Sequence, residues 1–180
     1  MSVKVGVLGF AHGHVNAYCD QWRNRPELGV KVVAAWDHDD ARLQQNTGSF
    51  GLRAFGQVDD LLSQGGVDAV VISAETSLHA SLVEKAAAAG KAIALQKPMS
   101  LTMGEADRIV AAVRKHGVPF TMAWQMRVDP QNQQIRDLMR SGELGRVLMV
   151  RRRHGLSVHL WQGFTDLWHC KPELNRDIWA

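Results

Sequence analysis

Apolar runs of strand length alternate with amphipathic stretches of helix length along the first two thirds of the chain. Val3-Lys4-Val5-Gly6-Val7-Leu8-Gly9 is a short buried strand ending at glycine, and a helical pattern follows from about His14 to Arg25, where Pro26 stops it. Val30 to Asp37, "VKVVAAWD", predicts a second strand, followed by a polar helix from Asp40 to around Gly48, which closes a βαβ unit. Asp59 to Leu62 fits a short helix. Val67 to Ser73 is apolar almost throughout, the pattern of a strand that a parallel sheet buries on both faces. Leu78 to Ala89 predicts an Ala-rich helix ended by Gly90, and Ala92 to Gln96 the next strand. Thr102 and Glu105 have capping-box spacing and open a helix that runs to His116-Gly117, after which Val118 to Trp124 predicts a further strand.

This alternation specifies the α/β class, a doubly wound, Rossmann-like parallel sheet over residues 1–125. The texture changes after Pro130. A polar helix from Gln131 to Arg140, a turn at Ser141 to Gly145, a strand from Val147 to Arg153 and a Trp-rich tail reach Ala180, so residues 126–180 read as the start of a second, α+β domain. With nothing to pair against, the strand at Val147 would be an exposed edge open to another chain.

Composition narrows the class of protein without naming a chemistry. With 46% apolar and 22% charged side chains over 180 residues, the chain can build a core. No apolar run approaches membrane-helix length, and the N-terminus has no signal-peptide core, so a cytoplasmic protein with no membrane partner is expected. Cys19 and Cys170 fit no metal or redox spacing and read as unpaired thiols. The net charge of +3 is spread through mixed charges. In the triplet at 151–153, Arg151 and Arg153 share one strand face and Arg152 takes the other, so no nucleic-acid partner is expected.

Ligands of open α/β sheets bind beyond the carboxyl ends of the strands, so the chemistry should lie in the turns there. The first turn is Gly9-Phe10-Ala11-His12-Gly13-His14. A dinucleotide fingerprint wants three glycines, for the tight turn, the approach of the pyrophosphate and the packing of the helix. Gly9 matches outright, Ala11 is small enough for the second role, and His14 stands third. Asp37, at the end of the second strand, is placed to accept hydrogen bonds from the adenosine ribose hydroxyls of NAD and to repel a 2′-phosphate, while the adjacent His38 leaves NADP open. Each piece has a plainer reading, since glycine follows many first strands and an aspartate after a strand is often a helix cap. His12 and His14 have no acidic or cysteine companion nearby, so no metal site is assigned.

"VGVLGFAHGH" from Val5, Asp37, the run "VDAVVISAETSLHASLVEKAAAAGKAIALQKPM" and "AWQMRVDP" together resemble the Gfo/Idh/MocA family, which includes glucose-fructose oxidoreductase and inositol dehydrogenase. The resemblance covers nearly the whole chain. It implies a two-domain NAD(P)-dependent oxidoreductase acting on a hydroxyl or keto carbon of a sugar, cyclitol or similar polyhydroxyl compound. The family's Glu-Lys-Pro signature reads Gln96-Lys97-Pro98 here, and by resemblance Lys97 sits beside the nicotinamide as the catalytic group. That role is chemically sound, because hydride loss from a carbinol requires a proton to leave the hydroxyl and a nearby cation stabilises the developing oxyanion. A solvated lysine at a strand end is the plain alternative. Gln96 keeps hydrogen-bonding capacity but lacks the family's negative charge.

The resemblance places Ala74, Glu75 and His79 in a loop along the cofactor, Glu75 standing where many members have proline, and His79 serving either the cofactor or the start of a helix. It also puts Gln125 near the nicotinamide and gives Arg127 either a substrate role or an ion pair with Asp129. Members run well beyond this length and place an Asp-x-x-x-His pattern in their second domain. His154, His159 and His169 do not form it, so the chain reads as an N-terminal fragment, expected to associate as a homo-oligomer. Trp161, Trp168 and Trp179 either stack on a sugar face or anchor loops. Two other functions fit the same residues: a nucleotide-sensing or assembly protein without catalysis, and NAD-dependent lyase or glycosidase chemistry through transient oxidation.

Overall fold

Six parallel strands lie side by side in the order β3-β2-β1-β4-β5-β6 in the computed structural model, which describes residues 2–153, 155–157, 160 and 162–175. The strands are β1 (Val3–Leu8), β2 (Val30–Trp36), β3 (Arg53–Phe55), β4 (Ala69–Ile72), β5 (Ala92–Leu95) and β6 (Phe120–Met122). The helices are α1 (His14–Asn24), α2 (Asp40–Phe50), α3 (Val58–Gln64), α4 (His79–Ala88), α5 (Met103–His116) and α6 (Pro130–Ser141). The chain divides into two compact units, Met1–Ala123 with the segment from Trp168 onward, and Trp124–Leu167.

Alternation along the strands sorts their side chains between two cores. Val5 and Val7 of β1, Ala35 of β2 and Val71 of β4 pack with Val15 and Cys19 of α1 and Leu43 of α2. Leu8, Ala34, Val70, Ile72, Ile93 and Leu95 point the other way, onto α3, α4 and α5. Leu8, Leu61, Ile72, Leu95 and Ile109 are completely enclosed. Each such side chain contributes about 1.5–3 kcal/mol through burial. Successive strands run outward from β1 on one side and from β4 on the other, so the chain reverses its order between these two neighbours. The carboxyl ends of β1 and β4 therefore bound a crevice.

The helix ends follow their sequence signals. Thr102 accepts from the Glu105 N–H while Glu105 reaches back to the Thr102 N–H, the full capping box of α5. Gly117 closes that helix at φ 61°. Two differences from the pattern stand out. β3 escapes it because three residues at a sheet edge are too few to show a period, and a 3₁₀ turn at Thr76–Leu78 precedes α4.

In the second unit, Gln125–Arg127 form a 3₁₀ turn and α6 follows, with Pro130 in its first turn. Residues 147–153 carry no strand, contrary to expectation. A strand exists through its ladder of hydrogen bonds, and apolar β-branched residues do not form one without a neighbour to pair with. His154, His159, Trp161 and Trp179 lie outside the described residues. No helix among the described residues is long and apolar enough to cross a membrane.

Candidate nucleotide site at the strand ends

The turn after β1 is held from both sides of the crevice. Gly9 donates its N–H to the Trp36 carbonyl at 2.8 Å and Phe10 donates to Asp37 Oδ2 at 2.7 Å, which tie the turn to the end of β2. On the β4 side, the His12 N–H meets the Ser73 carbonyl at 3.0 Å and Ser73 Oγ donates to the His12 carbonyl at 3.1 Å. Gly9 has φ 90°, and a Cβ there would lie 2.4 Å from Ala74 Cα. Glycine is thus required both for the bend and for the closeness of the two turns.

Helix α1 begins at His14, and its cap, Gly13, supplies no side-chain hydrogen bond. A helix start that leaves its partial positive charge to backbone N–H groups suits an anion such as a pyrophosphate. Small residues at Ala11 and Gly13 keep the backbone approachable, and nothing stands within 4 Å of a Cβ built on Gly13. These residues fit the phosphates of a dinucleotide. His12 points inward, 4% exposed, with its ring 4.5 Å from that of His14 and 6.0 Å from those of Trp168 and His169.

Asp37 is enclosed and bound at both oxygens. Arg42 approaches as a fork, Nε to Oδ2 at 2.7 Å and Nη2 to Oδ1 at 2.7 Å, and the Asp39 N–H adds 3.0 Å to Oδ1. The same guanidinium reaches Glu75, with Nη1 to Oε1 at 3.0 Å. His38, half exposed, lies 3.5 Å from a carboxylate oxygen of each acid. Sequence reasoning found both carboxylates but not Arg42, which joins the end of β2 to the end of β4. Its one signal was a basic residue on the first turns of α2, a full turn past Asp37, and only the tertiary fold gives that spacing a meaning.

On the far side of the crevice lies the Gln-Lys-Pro turn. Gln96 is wholly buried, accepts the Lys97 N–H at 3.1 Å through Oε1 and donates from Nε2 to Tyr18 Oη at 2.8 Å. A carboxylate there could accept two hydrogen bonds but donate none, so the amide is matched to a tyrosine oxygen that accepts. Lys97 is half-buried and joined to Pro98 by a cis peptide bond. The His14 imidazole has its pKa lowered, first by burial and then by the charge of Lys97, so the first turn and the lysine turn meet electrostatically.

His79 links the turns around β4 and β5. Its Nδ1 faces the Pro98 carbonyl at 2.9 Å and its Nε2 the Ala74 carbonyl at 3.2 Å. Burial lowers its pKa, opposed by those carbonyls. With its ring 1% exposed, it braces the lysine turn against Ala74. Trp168 anchors a loop, donating from Nε1 to the Ala11 carbonyl at 2.9 Å, and Asn175 Oδ1 accepts from Thr76 Oγ1 at 3.1 Å. Neither contact had a sequence signal, being more than 90 residues apart along the chain. Gln125 and Arg127 lie in the second unit, where Asp129 accepts the Asn132 N–H as the cap of α6.

Glycine turn, the carboxylate at the end of β2 and strand order define the class of dinucleotide-binding Rossmann proteins. Residues 3–124 match the model of the oxidoreductase family with an NAD-binding Rossmann fold, and the chain belongs to that Gfo/Idh/MocA family. D-apiose dehydrogenase of Paraburkholderia graminis is 34% identical over 142 residues, 78% of this chain and 36% of the relative. An inositol 2-dehydrogenase of Corynebacterium glutamicum is 31% identical over 85% of this chain and 45% of its own length. The solved structure of the WlbA dehydrogenase of Bordetella pertussis, in complex with NADH and UDP-GlcNAcA, shares the fold, with a TM-score of 0.75 at 24% identity over 81% of this chain and 44% of that one. The chain spans less than half the length of these relatives.

Proposed function

We propose that this chain is the cofactor-binding part of an NAD-dependent dehydrogenase acting on a sugar, cyclitol or similar polyhydroxyl substrate, with residues 126–180 opening the substrate domain. The observation that carries this reading is the convergence of the Gly9 turn, Asp37 and the Lys97 turn on one crevice at the β1/β4 reversal. When bound, the nicotinamide supplies the hydride acceptor or donor.

The chain's own residues divide the remaining work. The start of α1 and the backbone of Gly9 to Gly13 hold the phosphates, and Asp37 meets the adenosine ribose. Lys97 stabilises oxyanion charge at the reacting carbon and takes up or delivers the hydroxyl proton. His14 stays neutral beside it and is able to relay that proton. Gln96 orients the lysine turn without adding charge, and His79 braces it. Gln125 and Arg127 are assigned to the nicotinamide and substrate side, and copies of the protein are expected to associate. The dehydrogenase names of the apiose and inositol relatives support the substrate class.

The test uses the protein at the full length of its relatives. Lys97→Ala should bind NADH within about twofold of wild type yet lose about 100-fold or more in nicotinamide reduction across a panel of sugars and cyclitols, the scale of a positioned acid–base group. Undiminished turnover in Lys97→Ala would remove the lysine from the chemistry.

A further inference from the structure

The carboxylate that should read the adenosine ribose has no acceptor site left. A carboxylate offers about four lone-pair positions. Asp37 fills them with Phe10 N and Arg42 Nε on Oδ2, and Asp39 N and Arg42 Nη2 on Oδ1, while its side chain has no exposed surface. The two backbone donors are built into the turns, so the two Arg42 donors are the ones that can leave. Arg42 is the more exposed partner, its side chain at 22%.

Glu75 is placed to receive that guanidinium. It already accepts Nη1 at 3.0 Å, and its second oxygen lies 3.4 Å from Nη2, the nitrogen that bonds Asp37 Oδ1. Nη2 thus stands between a close partner on β2's end and a longer one on β4's end. A shift of the planar fork toward Glu75 shortens the long contact and frees one site on each Asp37 oxygen, the number that a vicinal diol requires. Arg42 keeps a carboxylate partner throughout, so the exchange does not strand a half-buried cation.

We propose that Arg42 is an internal competitor for the ribose site, seated on Asp37 until the cofactor displaces it, and that Glu75 is the second seat that makes the displacement possible. This rests on the reading of the crevice as an NAD site. It gives Glu75 a function: its carboxylate holds the displaced guanidinium beside the adenosine. Arg42 and Glu75 are positioning residues, acting through the carboxylate of Asp37.

The experiment is an NADH titration of intrinsic tryptophan fluorescence on the 180-residue chain, with thermal unfolding measured alongside. Arg42→Ala should bind NADH more tightly, by about fivefold, the worth of a net hydrogen bond no longer broken. A purely structural arginine would give the opposite sign. Glu75→Gln should bind more weakly, and in the Arg42→Ala background it should change nothing, since its effect runs through the guanidinium. Should Arg42→Ala fail to fold, Arg42→Lys serves, because a lysine cannot fork across both oxygens, and affinity should again rise. A folded arginine variant with unchanged or weaker affinity overturns the proposal, as does a Glu75→Gln effect that survives in Arg42→Ala. If wild type and every variant fail to bind NADH, the cofactor reading falls, and this proposal with it.

Discussion

Gln96 departs from the Glu-Lys-Pro pattern that the resemblance implies, and its buried side chain is nonetheless hydrogen-bonded at both its oxygen and its nitrogen. The resemblance led one to expect a charge beside Lys97, yet the buried amide satisfies both Lys97 N and Tyr18 Oη, a pair of bonds no carboxylate could reproduce in the same directions. No charge replaces that of the carboxylate at this position, and the neighbouring His14 has its pKa lowered by burial and by the Lys97 charge, which favours its neutral form. His14 and His79 together set a pH dependence. Both have pKa values lowered from the ordinary 6.5 in the folded protein. The unfolded chain therefore takes up protons at these sites before the folded chain does, so the stabilising contribution is fully present above about pH 6.5 and is lost as pH falls through the depressed folded values. Urea unfolding midpoints should decrease from pH 7 toward pH 5, and His14→Gln should flatten part of that decrease. A midpoint that rises on acidification would contradict the assignment. Residues of this kind were half legible: the lysine turn, Asp37 and Glu75 stand out as chemical groups after strands, while Arg42 and Tyr18 acquire their roles only through contacts far along the chain.

Elements were legible where local chemistry and burial agree. β1, β2, β4 and β5 are apolar because helices cover both faces of the sheet, and the capping box fixes the start of α5 from four residues alone. β3 was missed because three residues at a sheet edge show no period, and the expected strand at 147–153 did not form because strand formation depends on a neighbour, which composition does not reveal. The cap gives a clean element-scale test. Thr102→Ala removes the acceptor for the Glu105 N–H on an exposed helix start and should cost about 1 kcal/mol in chemical denaturation, with NADH affinity unchanged. A loss of affinity would mean that α5 sets the geometry of the crevice, not only its support.

At the scale of the molecule, the first unit has the strand order and turns of an NAD-binding Rossmann fold. The order of the strands, the bend at Gly9 and the hydrogen bonds that anchor its turn converge on the β1/β4 reversal. The chain spans less than half the length of these relatives, and the fold and the cofactor were readable in it while the identity of the substrate was not. The most direct measurement is therefore calorimetric titration of NADH into the 180-residue chain and its Asp37→Asn variant, with circular dichroism to verify folding. Saturable single-site binding by the wild type, weakened about tenfold or more by Asp37→Asn, is the expected result. No binding by the folded wild-type chain, or equal affinity in a folded Asp37→Asn, would contradict the assignment of this crevice to the cofactor.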